Sequence, residues 1–332
     1  MKTRLLAINE KSLSLASEII KGGGVVAFPT ETVYGLGASA FDDGAVEKIF
    51  IAKGRPQDNP LIVHVANKEM ISLAARQIPP LAQAVIDAFM PAPLTLILPK
   101  SGKISSRVTA GLDSVGVRMP LSGEARRFIE KCGVPIAAPS ANTSSRPSPT
   151  TAKDVYEDLC GKIPLILKGD DSEVGIESTV LSLIDEPMIL RPGVITAAEI
   201  ERVLGRKVAF ADSPEKGAAS PGVKYGHYMP LVPTKLLINP SDEDIVDEYA
   251  AHAVLRPVVL CALPRANRLE GISVYSFGST LKEGAHNYFS ALRYLEKKFG
   301  YIIQVYDFSK TDGAGLLNRM IKSANGNIWE ET

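Results

Sequence analysis

Residues 25–38 of the chain read VVAFPTETVYGLGA, and this stretch decides the fold. Its first part is a short β-branched run that ends at Pro29, which is typical of a buried strand. Three polar residues (30–32, TET) follow at once, and Gly35 and Gly37 permit a close approach of the backbone. Because α/β proteins usually bind ligands beside strand ends, the stretch predicts a buried sheet with a polar site at its edge. Taken alone, PTET also fits a tight turn capped by hydroxyl groups.

The composition is typical of a soluble globular protein. The 332 residues suffice for two hydrophobic cores, since single cores rarely grow beyond roughly 250–300 residues. Charged residues make up 22%, and the formal net charge of zero argues against broad electrostatic attraction to nucleic acid or a membrane. A net charge of zero is nevertheless compatible with a local basic pocket. No run of about 18 apolar residues occurs, so no membrane span is expected.

The cysteines and the N-terminus predict a cytoplasmic protein. Cys132, Cys160 and Cys261 lie far apart and form no CxxC pair, so a zinc or redox site has little support. An odd number of cysteines without a signal peptide predicts reduced thiols in the cytoplasm. All three are expected to be small, buried hydrophobic residues.

Strand and helix patterns alternate through two parts of the chain. Residues 1–205 mix strands and helices in a way that predicts an α/β domain with a mixed, twisted sheet. The helix pattern TAAEIERVLG is expected to close this domain, because residues 206–233 lack periodicity and indicate a linker. In residues 234–332 apolar strands alternate with helices, which predicts a small, parallel, Rossmann-like sheet. No GxGxxG follows its first strand, so a dinucleotide site has no support there.

Polar clusters beside strand ends hold the candidate chemistry. In KGRPQDNPLIVH (53–64), Lys53 precedes the helix stop at Gly54, and Arg55 precedes a proline that favours an extended backbone. Both cations can then point together toward an anion with several oxygens. A solvated Lys/Arg pair is the alternative. His64 lies inside the next strand, where a satisfied core histidine is the more common role.

Further clusters follow later strands of the first domain. Arg118 lies in an otherwise apolar strand, and a buried arginine needs a partner. Ser140 and Asn142 follow a short strand at a spacing of two residues, so both side chains can face one way. Ser178 enters one strand of a late hairpin and Arg191 leaves the other. The cations that would suit phosphate are Lys53, Arg55, Arg118, Arg146 and Arg191. No Walker loop, GxSxG elbow or HExxH helix occurs.

Several of these stretches, in this order, resemble the Sua5/YrdC/YciO family in its two-domain Sua5 form. The stretches that carry the resemblance are PTETVYGLGA, KGRPQDNPLIVH, AGLDSVGVRMP, PIAAPSAN, RPSPT, ESTV, LRPG and SPGVKYGHYMP, with GAGLLNRMIKSA as a weaker match. The resemblance implies a YrdC-like, twisted mixed-sheet catalytic domain with a concave basic site (1–205). It further implies a linker that acts as a lid (206–233) and a Sua5-type, Rossmann-like C-terminal domain (234–332).

The resemblance also implies a reaction and its partners. L-Threonine, bicarbonate or CO2 and ATP would give L-threonylcarbamoyladenylate, pyrophosphate and water, so the enzyme would be a nucleotidyltransferase. The product would pass to a tRNA threonylcarbamoyltransferase complex that modifies adenosine 37 of tRNAs reading ANN codons (the t6A modification). Mg2+ would be held mainly through the phosphates of ATP, since the sequence suggests no dedicated carboxylate cage.

The functional residues of the family carry over onto matching positions. The K-x-R and S-x-N signature, taken as catalytic, falls on Lys53, Arg55, Ser140 and Asn142. The threonine contacts fall on Thr32, His64, Arg118, Ala138 (through its backbone) and Ser178. The ATP contacts fall on Arg55, Asn59, Ser114, Ser140, Ser148, Arg191 and, from the linker, Tyr228. No residue is assigned to a metal.

The chemistry of these residues fits such a reaction. Adenylate formation of this kind depends mostly on positioning and charge stabilisation, which needs cations and donors more than a nucleophilic side chain. Arg118 can hold the threonine carboxylate at two points, and Lys53 and Arg55 can take phosphate charge. His64 either accepts a proton from the threonine amine or orients that amine.

The linker stretch SPGVKYGHYMP (220–230) is unusual for a connector, because it holds two aromatic residues, a histidine and a lysine. We expect it to lie across the mouth of the first domain's site and to exclude water from the labile product. Tyr228 would reach the nucleotide, and Lys224 or His227 would lie near phosphate. Aromatic side chains that only pin the linker to the protein surface are the alternative.

Two other functions stay open from the sequence. An RNA-binding module of the same fold would bind RNA tightly on a concave basic surface, whereas the enzyme itself is expected to make at most a weak RNA contact. An aromatic content of only 6%, without an RNP-like aromatic platform, argues against it. A regulatory or scaffolding protein would act through the second domain, which shows no charged constellation at its predicted strand ends. A structural domain that positions the linker is favoured over an independent catalyst there.

Overall fold

The computed structural model describes residues 1–213, 219–220 and 226–330, which form two compact units. The first unit consists of Met1–Ser144, Pro149–Glu173 and the described part of Glu177–Lys224. The second unit consists of Ser145–Ser148, Val174–Ile176 and the described part of Tyr225–Thr332. Two short segments of the first 205 residues are thus assigned to the second unit. The predicted domain limits, 1–205, 206–233 and 234–332, stay predictions.

The first unit is built on one mixed sheet, as predicted. Its described strands are β1 (Arg4–Ala7), β2 (Val26–Phe28), β3 (Gly35–Ser39), β4 (Ile62–His64), β5 (Leu94–Pro99), β6 (Ser114–Arg118), β7 (Ile136–Ala138), β8 (Leu165–Lys168), β9 (Thr179–Ser182), β10 (Met188–Arg191) and β11 (Ala209–Phe210). They follow one another across the sheet in the order β1-β8-β2-β3-β7-β4-β6-β5-β9-β10-β11. Parallel pairs such as β4 and β6 lie beside antiparallel pairs such as β4 and β7, so the sheet is mixed.

The helices of the first unit begin and end at signals in the sequence. They are α1 (Glu10–Lys21), α2 (Asp43–Lys53), α3 (Ile71–Ala74), α4 (Pro80–Phe89), α5 (Gly123–Cys132), α6 (Ala152–Leu159) and α7 (Ala197–Leu204). The Asp42 carboxylate caps α2 by accepting a hydrogen bond from the Ala45 N–H. Gly54 ends that helix in the left-handed region, with φ of 62°. Thr151 forms a capping box at α6 with Asp154.

The core of the first unit surrounds its central strands. Every residue of β2, β4 and β7 is buried, and Phe28 packs on Phe128 of α5 with ring centroids 5.1 Å apart. Burial of a large apolar side chain of this kind contributes about 1.5–3 kcal/mol. Because both faces of these strands are covered, their polar residues are concentrated at the strand ends, where the candidate site lies.

The strand β3 (Gly35–Ser39) is not among the strands that the sequence predicts. The segment GLGAS lacks the β-branched residues that mark most strands, which is why the pattern did not reveal it. Its glycines serve close packing between neighbouring strands. A Cβ atom at Gly37 would lie 2.6 Å from Cγ2 of Ile136 and 2.9 Å from Cε1 of Phe28, so no larger residue fits.

A short strand also follows the helix that was expected to close the first domain. Residues Ala209–Phe210 pair in parallel with β10, at Met188 and Ile189. The strand has only two residues, and both are exposed, so it leaves no alternating hydrophobic pattern in the sequence. The sheet therefore extends past α7 into a stretch that the sequence assigned to a linker.

The second unit contains the parallel, Rossmann-like sheet that the sequence predicts. Its described strands are β12 (Thr234–Ile238), β13 (Pro257–Cys261), β14 (Val274–Ser276), β15 (Tyr301–Tyr306) and β16 (Ile328–Glu330), and its helices are α8 (Asp242–Ala251), a short 3-10 helix (Ala253–Leu255), α9 (Leu263–Ala266), α10 (Leu281–Leu295) and α11 (Ala314–Ser323). The strand order is β14-β13-β15-β12-β16, and each described pair is parallel. Leu237, Val259 and Ile303 lie in its core.

A charged cluster at the strand ends of the second unit corrects the expectation that none exists there. Arg265, after β13, donates to both carboxylate oxygens of Asp307, after β15, at 3.0 and 2.7 Å. Its third guanidinium nitrogen pairs with Asp242, which opens α8 after β12. Arg268 donates to the same carboxylate at 3.0 Å. Because these charges neutralise one another, the cluster ties three strand ends together rather than presenting a net charge.

The cysteines follow the prediction in two of three cases. Cys132 and Cys261 are buried free thiols, and burial raises the pKa of each to about 12. Cys160 is exposed, which corrects the expectation of burial, because it lies at the C-terminal cap of α6 where the helix meets solvent. Within the described ranges, no helix combines the length and the apolar character that crossing a membrane requires.

Candidate active site

A buried ion pair lies at the centre of the candidate site. Glu31 follows β2, and Arg118 is the last residue of β6. The Arg118 Nη2 atom donates to Oε1 of Glu31 at 2.6 Å, and each side chain is 5% exposed. Burial acts to raise the pKa of Glu31, but the charge and hydrogen bond of Arg118 prevail and hold that pKa below its ordinary value. The partner that a buried arginine requires is therefore Glu31, to which the sequence analysis gave no role.

Arg118 keeps further hydrogen-bonding capacity beyond this pair. Its Nε atom is buried and has no hydrogen-bond partner among the described residues. A buried donor without an acceptor costs about 1–3 kcal/mol, so such groups in proteins commonly mark a place for a ligand or water. A carboxylate of a small ligand would supply the missing acceptor.

His64 lies beside Arg118 in the sheet register, because β4 and β6 pair in parallel at these two residues. Its Nδ1 atom lies 3.2 Å from the carbonyl oxygen of Ile62, and its ring meets Phe28 edge-on at 6.0 Å. Burial, and to a smaller degree the Arg118 cation, lowers the pKa of His64 to about 3. The imidazole is therefore neutral near pH 7. So low a pKa makes a weak base, which favours orientation of a substrate amine over proton abstraction.

We expect His64→Asn to flatten the acid side of the pH–stability profile. The folded-state pKa of about 3 lies below the ordinary 6.5, so the unfolded chain binds one more proton between these values. Stability from the neutral imidazole is fully present above the ordinary pKa and falls by about 1.4 kcal/mol per pH unit as the pH drops toward the folded pKa. Urea unfolding across this range measures the slope. His286→Asn, at an exposed position, is the control, and equal slopes in wild type and His64→Asn would refute the expectation.

The hydroxyl groups of Thr30 and Thr32, just after β2, form a chain of hydrogen bonds with a fixed direction. Thr30 Oγ1 donates to the carbonyl oxygen of Val33 at 2.6 Å and lies 3.0 Å from Thr32 Oγ1. Because the Thr30 hydroxyl proton is used on Val33, the Thr32 hydroxyl donates to Thr30. Thr32 is fully buried, and its lone pairs stay available as acceptors for an amine.

A second arginine is anchored at the hairpin of β9 and β10. Arg191 donates from Nε and Nη2 to the carbonyl oxygen of Ser178 at 3.2 and 3.0 Å, and from Nη2 to its hydroxyl at 3.2 Å. The Ser178 hydroxyl lies 2.9 Å from Thr95 Oγ1, a partner that the sequence analysis did not identify. Gly193 allows its segment to pack directly against the backbone of Thr179, since a Cβ atom at Gly193 would lie 2.4 Å from the Thr179 nitrogen. Ser178 and Arg191 therefore act as one rigid unit.

Lys53 reaches the loop that carries the S-x-N motif. It is the last residue of α2, is 2% exposed, and its Nζ atom donates to the carbonyl oxygens of Ser140 and Asn142 at 2.5 and 2.6 Å. A further contact of 3.3 Å joins it to Oδ1 of Asn142. The Ser140 hydroxyl donates to that same Oδ1 atom, so one ammonium group organises the loop.

Arg55 and Asn59 occupy the turn that follows Lys53. Arg55 Nη2 donates to the carbonyl oxygens of Asn59 and Pro60 at 3.4 and 3.2 Å. Lys53 and Arg55 therefore contact different segments of the chain. The Asn59 side chain is 1% exposed, and its Nδ2 atom has no hydrogen-bond partner among the described residues. Like the Arg118 Nε atom, this buried donor suits a ligand oxygen.

The two remaining predicted residues of the first unit lie at strand ends. Ser114 opens β6, is partly exposed and pairs with Pro99 of β5. Ala138 closes β7 and pairs with Ile62 of β4, two residues before His64. Because β7 and β4 run antiparallel, the end of β7 lies beside the start of β4, and His64 pairs instead with Ile136 at the start of β7. The backbone contact of Ala138 with threonine stays a prediction.

The predicted ATP contacts Ser148 and Tyr228 belong to the second unit. Ser148 is fully buried, and Tyr228 is 5% exposed with φ of 65°. Arg146, one of the five candidate phosphate cations, forms a two-point ion pair with Glu296 in that unit. Lys224 lies outside the described residues, so its predicted place near phosphate is not described.

The described residues contain no group of three or more His, Cys, Asp or Glu side chains that could hold a metal ion. The candidate site combines cations and hydroxyls with the Asn59 amide, the His64 imidazole and the single carboxylate of Glu31. The fold and the site together define the class: an α/β protein whose mixed sheet carries buried cations and hydroxyls at its strand ends, followed by a parallel α/β unit.

Comparison with known proteins assigns the family. Residues 18–193 match the Sua5/YciO/YrdC family model, described as telomere recombination. Residues 195–325 match a model described as threonylcarbamoyl-AMP synthase, C-terminal domain. The chain belongs to the Sua5/YciO/YrdC family, as its motifs predict.

Close relatives are similar over nearly the whole chain. The threonylcarbamoyl-AMP synthase of Pyrococcus abyssi is 40% identical over 334 residues, which covers 97% of this chain and 96% of the relative. The threonylcarbamoyl-AMP synthase of Bacillus subtilis is 41% identical with the same coverage of both chains. The crystal structure of P. abyssi Sua5 complexed with L-threonine has a TM-score of 0.89 and 37% identity, and the match covers 100% of this chain and 99% of that one.

Proposed function

We propose that the protein makes L-threonylcarbamoyladenylate and pyrophosphate from L-threonine, ATP and either bicarbonate or CO2, with water as a further product when bicarbonate is the carbon source. One observation carries the proposal: a buried Arg118 with a partnerless Nε donor, in a chain 40% identical over almost its full length to a curated threonylcarbamoyl-AMP synthase. The protein is an enzyme of the nucleotidyltransferase type with ATP as a substrate. An RNA-binding module is not favoured, because the full-length relatives carry the synthase name.

The amino acid end of the site follows from the buried groups around Arg118. The Nε donor of Arg118 accommodates the threonine carboxylate, while Glu31 keeps the guanidinium in place. The lone pairs of Thr32 and the neutral imidazole of His64 accept hydrogen bonds from the amine. Such contacts keep the amine nitrogen directed toward the carbon that it attacks. Ser178 and the backbone of Ala138 complete the predicted set of threonine contacts.

The proposed chemistry proceeds in two bond-forming steps. The neutral threonine amine attacks CO2 and gives a carbamate with release of one proton to solvent, or it attacks bicarbonate and gives the same carbamate with release of water. A carbamate oxygen then attacks the α-phosphorus of ATP, the bond from that phosphorus to the bridging oxygen breaks, and pyrophosphate leaves. Positioning and charge stabilisation dominate a transfer of this kind.

The nucleotide end rests on donors from several loops. The buried Nδ2 atom of Asn59 suits a ligand oxygen, and Arg55 supplies charge in the same turn. Lys53 acts mainly by fixing the loop of Ser140 and Asn142, since its ammonium is held by their carbonyl oxygens. The remaining predicted ATP contacts are Ser114, Ser148, Arg191 and Tyr228.

Magnesium would reach the site with ATP rather than through a cage of side chains. Among the described residues, no three His, Cys, Asp or Glu side chains form a group that could hold a metal ion. Mg2+ commonly keeps several waters and binds substrate phosphates. It would neutralise phosphate charge, while the side chains named above bind and orient the organic substrates.

The product is a mixed anhydride, which water hydrolyses readily, so a transferase must consume it. We propose that a tRNA threonylcarbamoyltransferase complex moves the threonylcarbamoyl group to adenosine 37 of tRNA, and that this occurs in the cytoplasm. A weak RNA contact of the protein itself stays a prediction.

Product analysis tests the proposal. Full-length protein would be incubated with ATP, L-threonine and isotopically labelled bicarbonate, and the nucleotide products separated and weighed by mass spectrometry. The expected product is AMP joined to carbamoylthreonine, with the label in the carbamoyl carbon. An AMP-containing product without that label, or ATP hydrolysis alone, would contradict the proposal.

A further inference from the structure

Helix α10 of the second unit holds the chain segment that carries Ser148. The Glu296 carboxylate, just after this helix, accepts hydrogen bonds from Arg146 at 2.7 and 2.5 Å. The Glu296 side chain is 1% exposed and that of Arg146 is 19% exposed. Two-point pairs of this kind, sheltered from water, are strong and fix orientation. Arg293, one turn earlier, donates to the carbonyl oxygen of Pro147 at 3.1 and 2.6 Å.

The same helix holds the segment that carries Tyr228. A second interaction of Glu296 is with the Leu231 N–H, which donates to it at 2.8 Å. The Tyr228 ring packs on Phe289 of α10 with centroids 5.1 Å apart. The two segments also contact each other, since the Met229 N–H donates to the carbonyl oxygen of Ser145 at 2.8 Å. One carboxylate therefore anchors both segments.

Both anchored segments contain strained backbone. Ser145 has φ of 68° and Tyr228 has φ of 65°, although neither is glycine. A non-glycine residue in the left-handed region costs about 1–3 kcal/mol, and it keeps that backbone conformation only where contacts with the surrounding structure hold it there. Such positions are common at ligand clamps. In this protein, the contacts with α10 hold the two segments in that conformation.

We propose that Arg146, Arg293 and Glu296 are positioning residues for ATP, acting through Ser148 and Tyr228. The inference rests on the proposed function and deepens it, because it gives the second unit a task in nucleotide binding. The three residues hold the backbone of the two segments without touching the reacting atoms. Loss of the anchor lowers the affinity for ATP and leaves the amino acid end of the site intact.

Equilibrium titration of full-length protein with ATP tests the proposal, and Arg146→Lys is the first variant. Lysine keeps the charge but cannot form the two-point pair, and the half-sheltered position tolerates the change. We expect the Kd for ATP to rise about tenfold, or about 1.4 kcal/mol. Glu296→Gln should raise it to a similar degree. Because the two residues form one contact, the double variant should bind no more weakly than the weaker single variant.

A matched control lies in the same unit. Glu248 pairs with Lys235 at 2.6 Å, with side chains 12% and 22% exposed, and its side-chain hydrogen bonds among the described residues go to Lys235 and Tyr301 rather than to the two anchored segments. Glu248→Gln should leave the Kd for ATP within about twofold, although it loses a comparable ion pair. Urea unfolding of each variant separates lost stability from lost positioning.

The effects on the KM for ATP and on the KM for threonine distinguish a positioning role from a general loss of activity. In pyrophosphate release, Arg146→Lys and Glu296→Gln should raise the KM for ATP and leave that for threonine within about twofold, as expected when ground-state binding alone is lost. An unchanged Kd for ATP in both variants, or an equal rise in Glu248→Gln, would overturn the inference. Wild-type protein that binds ATP but releases no threonine-dependent pyrophosphate would overturn the proposed function instead, while the titrations would still decide the inference.

Discussion

Replacement of Arg118 by alanine is expected to lower kcat/KM for threonine by roughly a hundredfold or more, since truncating one partner of a buried charge pair costs about 2–5 kcal/mol. The variant loses the proposed contact with the threonine carboxylate. It also leaves the Glu31 carboxylate buried without its cation. We therefore expect a second effect, a loss of about 3–5 kcal/mol in the free energy of unfolding.

The variant Arg118→Lys separates the two effects. Lysine keeps a cation beside Glu31 but lacks the planar fork that binds a carboxylate at two points. Stability should recover for the most part, while the KM for threonine stays high. Arg127→Ala is the matched control, because its ion pair with Glu10 is exposed, with side chains 55% and 70% accessible. A normal KM for threonine in Arg118→Lys and Arg118→Ala would remove Arg118 from the threonine site.

Lys53→Met should produce the second large effect, a fall in turnover of about a hundredfold. Methionine fills most of the space but leaves the carbonyl oxygens of Ser140 and Asn142 without their ammonium donor. A buried acceptor without a donor costs about 1–3 kcal/mol, so the S-x-N loop should also lose stability. Turnover and urea unfolding are measured on the same preparation.

Lys48 offers a control on the same helix. Its Nζ atom also donates to a backbone carbonyl, that of Gly23, at 2.6 Å, but at an exposed position. Lys48→Met should change the free energy of unfolding by less than about 1 kcal/mol and leave turnover intact. If Lys53→Met kept full turnover despite a clear loss of stability, Lys53 would be a purely structural residue.

The sequence predicts the strands that carry hydrophobic runs and the polar clusters at their ends. It does not predict which ends meet. His64 and Arg118 are neighbours only because β4 and β6 pair in parallel, a contact between distant parts of the chain. The Glu31 partner of Arg118 is 87 residues away, so no local pattern reveals it. The one available signal is physical, because a buried arginine requires an acidic or acceptor partner.

The motifs supply the residues of the candidate site, since these residues lie in short segments with strong local character, and their roles stay predictions. The difference concerns what those residues contact. Lys53 and Arg55 resemble a pair of phosphate ligands in the sequence, yet in the fold each is tied to backbone carbonyls. Arg146 resembles a third, yet it pairs with Glu296 of the second unit. The sequence shows which residue types occur in each motif. It does not show which residues those side chains contact, because such contacts depend on long-range packing.

Pyrophosphate release from ATP tests the central claim most directly. The wild-type protein would be assayed with ATP and Mg2+, with threonine and bicarbonate each present or left out. The proposed reaction predicts rapid release only when both are present, and little release when either is absent. Release at the same rate without threonine would contradict it.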